Sequence, residues 1–190
     1  MTGVGRRDKP VSPHALGAVA VLVGLAWTMR STPGGVLAVH WLAAPLALFV
    51  LGPRWSVAAV AGGALFAGIV GAVPWANLPA RLLIDGLLPL AVAWAWLRAV
   101  GRALPAHLFV YLFAAVFVGT VLAVLATGTV QRLAWPDALG SVRAADGWIA
   151  LLIMADGEAM ITGFIVTGLA VYRPEWLQTF DERRYLRPPA

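Results

Sequence analysis

Cysteine is absent from the 190 residues, and charge is scarce: only 12% of the side chains are Asp, Glu, Lys or Arg. Without thiols there are no disulfides and no thiolate metal sites, which leaves His, Met and carboxylates as metal ligands. A soluble domain carries about 25% charged residues. Half that, beside 61% hydrophobic residues, excludes an ordinary aqueous surface. Alternation of apolar and polar residues over stretches of about ten is also missing, which argues against a membrane β-barrel. No glycine-rich loop ending in Gly-Lys-Ser/Thr occurs, so this chain does not hydrolyse ATP itself. The formal net charge is +5. Its basic residues form no stripe interleaved with aromatics, so the charge does not point to nucleic acid.

What is present is a series of long apolar blocks separated by short polar punctuation. The pattern predicts an all-α, polytopic integral membrane helix bundle with about six spans, because a span needs about 20 apolar residues. The expected spans are residues 14–29, 35–51, 55–73, 82–100, 106–127 and 148–171. Breakers mark the connections: Ser31-Thr32-Pro33-Gly34, Gly52-Pro53-Arg54, residues 74–79, residues 101–105, and a longest stretch over 128–147. Within that last loop, residues 130–135 suit the membrane interface. One transmembrane domain, 14–171, then lies between an N-terminal tail, 1–13, and a C-terminal tail, 172–190. Arg6, Arg7 and Lys9 before the first apolar block look like the start of a signal peptide. No small-residue cleavage site follows, so the block is expected to remain as the first span.

Orientation follows from Lys and Arg. With six spans, both termini and the second and fourth loops share one side and hold ten basic residues. The other side holds four, namely Arg30, Arg81, Arg132 and Arg143. The positive-inside rule places both termini in the cytoplasm. Trp41, Trp55, Trp75, Trp135, Trp148 and Trp176 fall near expected span ends, as an aromatic belt requires.

Four polar side chains lie inside apolar runs. Asp156-Gly157-Glu158 interrupts the last span, and a charge at the bilayer centre costs about 2.5–3.5 kcal/mol on insertion scales. Such groups face a bundle interior or a wet cavity, and the intervening glycine weakens the helix at that point. Asp85 stands four residues after Arg81, so a local ion pair at helical spacing accounts for it as well as a binding role does. Gly86 and Pro89 loosen the same helix. His40 lies inside the second span, where it is either a hydrogen-bonded packing residue or a metal ligand. On the inferred topology His40, Asp85 and Asp156 fall in the outer half of the membrane and Glu158 near the midplane. Together these carboxylates and the imidazole form a candidate site for a divalent cation, provided spans two, four and six meet. Gly62, Gly63, Gly68 and Gly71 in the third span read either as a sliding or docking face or as tight static packing. A catalytic reading is weaker, because His40 has no nucleophile partner and Ser is scarce in the spans. An acidic pair at depth that shares a proton would also suit a proton-coupled carrier.

Gly157-Glu158-Ala159-Met160-Ile161-Thr162 resembles the Gly-Glu-Gly-Leu-Ile-Thr signature in the final helices of the cobalamin-biosynthesis cobalt-uptake permeases. The tail from Tyr172-Arg173-Pro174-Glu175-Trp176 through Phe180-Asp181 to Tyr185-Leu186 is similar to that of a shorter bacterial branch of this family. So are Gly86 to Pro89 and Leu108 to Phe113. The resemblance covers residues 77–186. It implies a permease of the bacterial plasma membrane, the substrate-capturing part of an energy-coupling-factor ABC transporter. The cargo implied is a divalent transition metal, cobalt or nickel, with no resident cofactor. The partners implied are a transmembrane coupling subunit and cytoplasmic ATPases that dock near the tail, alongside the lipid bilayer and without nucleic acid. The family's members begin Met-His-Ile-Pro-Asp-Gly and bind metal there; this chain begins Met1-Thr2-Gly3-Val4, so that site does not carry over. Glu158 and Asp156, with Asp85 and His40, remain the candidate binding residues. The competing expectation is a non-transporting membrane subunit or assembly factor. There the acidic pair would be structural, pairing with Arg81 or capping the amides of a broken helix.

Overall fold

The computed structural model describes residues 11–29, 41–134 and 144–186. Ser12 and Pro13 open the first helix, α1, Pro13–Thr28. The Ser12 hydroxyl accepts the Ala15 N–H at 3.1 Å, and Pro13 has no N–H to leave orphaned in the first turn.

The second helix, α2, Ala44–Ile69, begins without a side-chain cap on its own chain segment. Ala43 precedes it in a left-handed conformation, φ 56°. The helix is broken at Gly52, φ 76° and ψ 173°, with Pro53 next. The chain turns back there. Ala43, Ala44 and Ala47 share one core with Val60, Ala64 and Ala67. In an unbroken helix Ala44 and Ala67 would stand about 35 Å apart at 1.5 Å per residue. The second half of α2 lies parallel to α1, with Gly62 against Ala20, Gly63 against Val23 and Phe66 against Gly24. A Cβ on Gly63 would sit 2.9 Å from the Gly24 backbone nitrogen, so the two backbones touch.

Three further long helices complete the bundle. The third, α3, spans Trp75–Ala103 and widens into a π-helical turn at Leu82–Leu87, where the Leu88 N–H reaches back to the Leu83 carbonyl. Pro89 follows at once, and the widened turn is where the ladder absorbs it. The fourth, α4, Val110–Ala134, starts with a second π segment, Val110–Phe117. The Trp96 indole of α3 donates to the Ala114 carbonyl of that segment at 2.7 Å. The fifth, α5, is Ala144–Tyr172, and a short α6, Glu182–Tyr185, ends the described chain. Contacts define two ends of the bundle. At the tail end Gln178 and Thr179 meet Val50 and Phe49, and Arg184 meets Gly101. At the far end Gln131 meets Asp85, and the Arg132 guanidinium lies 4.6 Å from the Trp148 ring centre.

All described helices fit the expected fold class, and no strand occurs among the described residues. Four helices, α2 to α5, are long and apolar enough to cross a membrane; α1 is a shorter apolar helix. Several expected boundaries are corrected. Within the described part of the second expected span, residues 41–43 are not helical and helix runs from Ala44, with Ala43 left-handed and Pro45 in the first turn. Residues 35–40 lie outside the described residues. The loop expected at 74–79 is already helical from Trp75, with Pro79 tolerated in a first turn. The loop expected from residue 128 starts later, because α4 runs on to Ala134.

Candidate functional site

Glu158 sits near the middle of the 29-residue α5 and is 4% exposed. Its carboxyl group accepts two backbone N–H groups, from Leu42 at 3.1 Å and from Ala43 at 3.0 Å. These are the amides at the start of α2. An Asp or Ser at the cap position would ordinarily serve them, but Ala43 has no side-chain acceptor. A carboxyl group more than a hundred residues away in sequence takes that role and faces the positive end of the helix dipole. Trp27 of α1 donates its indole N–H to the Leu42 carbonyl at 3.2 Å, so that residue is held at both its N–H and its C=O. Helices α1, α2 and α5 therefore meet at one polar point inside the apolar bundle. Thr162, one turn beyond Glu158, and Trp41, next to Leu42, each carry a buried polar atom with no hydrogen-bond partner among the described residues.

Asp156 does not join this point. Two residues along a helix is about 200° around its axis. With Glu158 facing inward, Asp156 faces outward and is exposed. Asp85 lies elsewhere, 1% exposed in the π turn of α3. The expected pairing with Arg81 is present at 2.7 Å, and Gln131 of α4 donates to its other oxygen at 2.5 Å. His40 lies outside the described residues. Among the described residues no group of three or more His, Asp and Glu side chains is placed to hold a metal ion. The expected gathering of Asp85, Asp156 and Glu158 around one cation is thus not the arrangement that the described residues form.

The glycine-rich stretch of the third expected span is resolved in favour of packing. Gly63 and Gly68 are buried, Gly63 against α1 and Gly68 against Trp75 and Leu78 of α3. Gly71 takes φ 75° in a turn, where a left-handed backbone favours glycine.

Several functional contacts gave no sequence signal. The donors to Glu158 are backbone amides, which every residue but proline carries. Pro45 was the available clue, since proline is at home in a helix's first turn and so dates its start. Gln131, polar near the end of an apolar helix, was the clue to the Asp85 network. The tail also packs inward. Leu177 and Phe180 are buried, and Thr179 donates to the Phe49 carbonyl at 2.9 Å and shares a 2.7 Å hydrogen bond with the Tyr111 hydroxyl.

A family model described as the cobalt uptake substrate-specific transmembrane region, CbiM, matches residues 3–176. No curated protein sequence and no solved structure matches the chain.

Proposed function

Because the chain belongs to the CbiM family of cobalt uptake transmembrane components, we propose that it is the substrate-capture permease of an energy-coupling-factor-type ABC transporter. Its cargo is a divalent transition metal, cobalt or nickel, brought into the bacterial cell across the plasma membrane. The family is one of transport permeases, and the chain is not an enzyme. A transmembrane coupling subunit and cytoplasmic ATPases supply the energy that a chain with no nucleotide-binding loop needs from partners.

The observation that carries this reading is the family match over nearly the whole chain. The non-helical backbone at residues 41–43, beside the buried Glu158, supports it. Non-helical backbone inside a bilayer is tolerated where protein buries it or where it lines a cavity, and transporters place their binding groups at such breaks. Here the break at residues 41–43 is held by Glu158 and directly follows His40 in sequence. Of the three described candidate residues, Glu158 is the one at this break. Asp85 is engaged by Arg81 and Gln131, and Asp156 faces away.

The proposal keeps the six crossings expected from the sequence. Phe49 and Val50 lie at the tail end. Arg54, Arg98, Arg102, Arg173, Arg183 and Arg184 group toward the tail end. Arg81 and Arg132 lie toward the other. The positive-inside rule makes the tail end cytoplasmic, with both chain termini on that side.

The test is uptake of radiolabelled cobalt and nickel by cells expressing the coupling and ATPase subunits with and without this chain. Uptake should require the chain. Equal uptake without it overturns the reading. A second reading, a non-transporting subunit in which Glu158 is purely structural, is favoured by one observation: both carboxyl oxygens are occupied by backbone amides. It requires a Glu158→Gln chain that remains folded to leave uptake by the complex unaltered.

A further inference from the structure

The outer face of α5 has no cover among the described residues. Ile153 is 69% exposed and Phe164 72%, and Met160 is exposed between them. A Cβ on Gly157 or Gly168 would meet nothing within 4 Å. Plotted at 100° per residue, Ile153, Asp156, Gly157, Met160, Phe164 and Gly168 fall on one side of the helix. In a bilayer an apolar face can simply meet lipid, so exposure alone selects no partner. Asp156 does. It projects from this face near the middle of the 29-residue helix, where hydrocarbon offers a carboxyl group neither water nor a donor. It makes no hydrogen bond or ion pair with another described residue.

The geometry points to this face as the docking surface for a transmembrane helix of the coupling subunit, one carrying an Arg, Lys or amide donor at mid-depth opposite Asp156. The small residues beside Asp156 let such a helix approach closely. A second copy of this chain is the wrong chemistry. The stretch from Trp148 to Tyr172 contains no Arg, Lys or His, so two copies joined through this face would set Asp156 against an apolar or acidic surface. The glycines of α2 do not compete for the role, because α1 and α3 already fill them. The inference rests on the proposed function for the existence of a coupling subunit, and adds where it binds and what chemistry it must present.

The experiment places a photo-crosslinking amino acid at Met160 or at Phe164 of the complete transporter in native membranes. Phe109, exposed on another helix, is the control. Mass spectrometry identifies the adducts. Positions 160 and 164 should join the coupling subunit and position 109 should not. Asp156→Leu should cut that yield by about tenfold or more, as loss of a central interface contact does, while Asp156→Glu retains it. The isolated chain in detergent should melt no lower with Asp156→Leu, since the side chain supports nothing within the chain. Adducts only with lipid, with a second copy or with this chain's own residues overturn the inference, as does a yield indifferent to Asp156→Leu. If the complex assembles and transports but crosslinks elsewhere, the docking surface alone is wrong. If no complex with a coupling subunit forms, the proposed function falls with it.

Discussion

Glu158 stands alone as the acceptor for two buried amides, and its removal is correspondingly asymmetric. Replacing it by leucine leaves the Leu42 and Ala43 N–H groups without a partner in an apolar interior, at a cost of about 1–3 kcal/mol each. Glu158→Gln keeps one carbonyl oxygen but turns an amide donor toward the other N–H, so about half of the loss should remain. Thermal unfolding in detergent should therefore rank native above Gln above Leu. An unchanged midpoint for Glu158→Leu would sink the capping role. The depth and inward direction of Glu158 were legible in the sequence, because a carboxylate inside an apolar run has few tolerable places. Its neighbour misled. Adjacent acids read as a pair, yet helix geometry sends Asp156 and Glu158 to opposite faces, and only the fold decides which is inside. The Arg81–Asp85 pair was legible for the converse reason, since its spacing is local and needs no tertiary knowledge.

At the scale of the element, α2 shows both what punctuation reveals and what it hides. Gly52-Pro53 reads as a break and is one, with Gly52 at φ 76°. A Cβ there would be strained by the left-handed backbone and would stand 3.2 Å from the Gln178 Cβ. Gly52→Ala should cost about 1–2 kcal/mol, seen as a lowered melting midpoint; a neutral substitution would show that the turn relaxes easily. The break before Ala44 had no such sign. Ala43 is a good helix former by propensity, and its left-handed backbone is held by contacts from α1 and α5 rather than by its own chemistry. The glycines facing α1 behave differently from Gly52. Gly63 is helical, and its role is distance. Gly63→Leu should push α1 away and destabilise strongly, since a Cβ there meets the Val23 side chain and, at 2.9 Å, the Gly24 nitrogen, which is backbone and does not rotate aside. A protease-resistant, native-like Gly63→Leu chain would contradict that close crossing.

For the molecule as a whole, the family match and the four membrane-length helices agree on an integral membrane transport component. What the helices alone do not convey is how the C-terminal tail completes the bundle. Residues after Tyr172 leave α5, yet Leu177 and Phe180 return to the core, where the Phe180 ring tilts against Tyr111 and stacks on Tyr185. The Gln178 N–H and the Thr179 hydroxyl satisfy the Val50 and Phe49 carbonyls, which the end of a helix leaves unpaired. The tail thereby caps one end of the half-helix 44–51, and Glu158 caps the other. That segment is only eight residues long, and helices so short are marginal on their own. Its order must come from the two caps and from the packing around it. Thr179→Val removes the hydroxyl between Phe49 and Tyr111 without changing shape, and Tyr111→Phe removes only the outer hydrogen bond. Each hydrogen bond contributes about 0.5–1.5 kcal/mol net. Thr179→Val should therefore destabilise about twice as much as Tyr111→Phe, and the pair combined should cost little more than Thr179→Val, because the two share one bond. The same substitutions should raise hydrogen exchange at the amides of residues 46–51 while leaving those in the middle of α4 protected. Uniform exchange across both segments would mean that the tail is an appendage, and that the broken helix keeps its place without it.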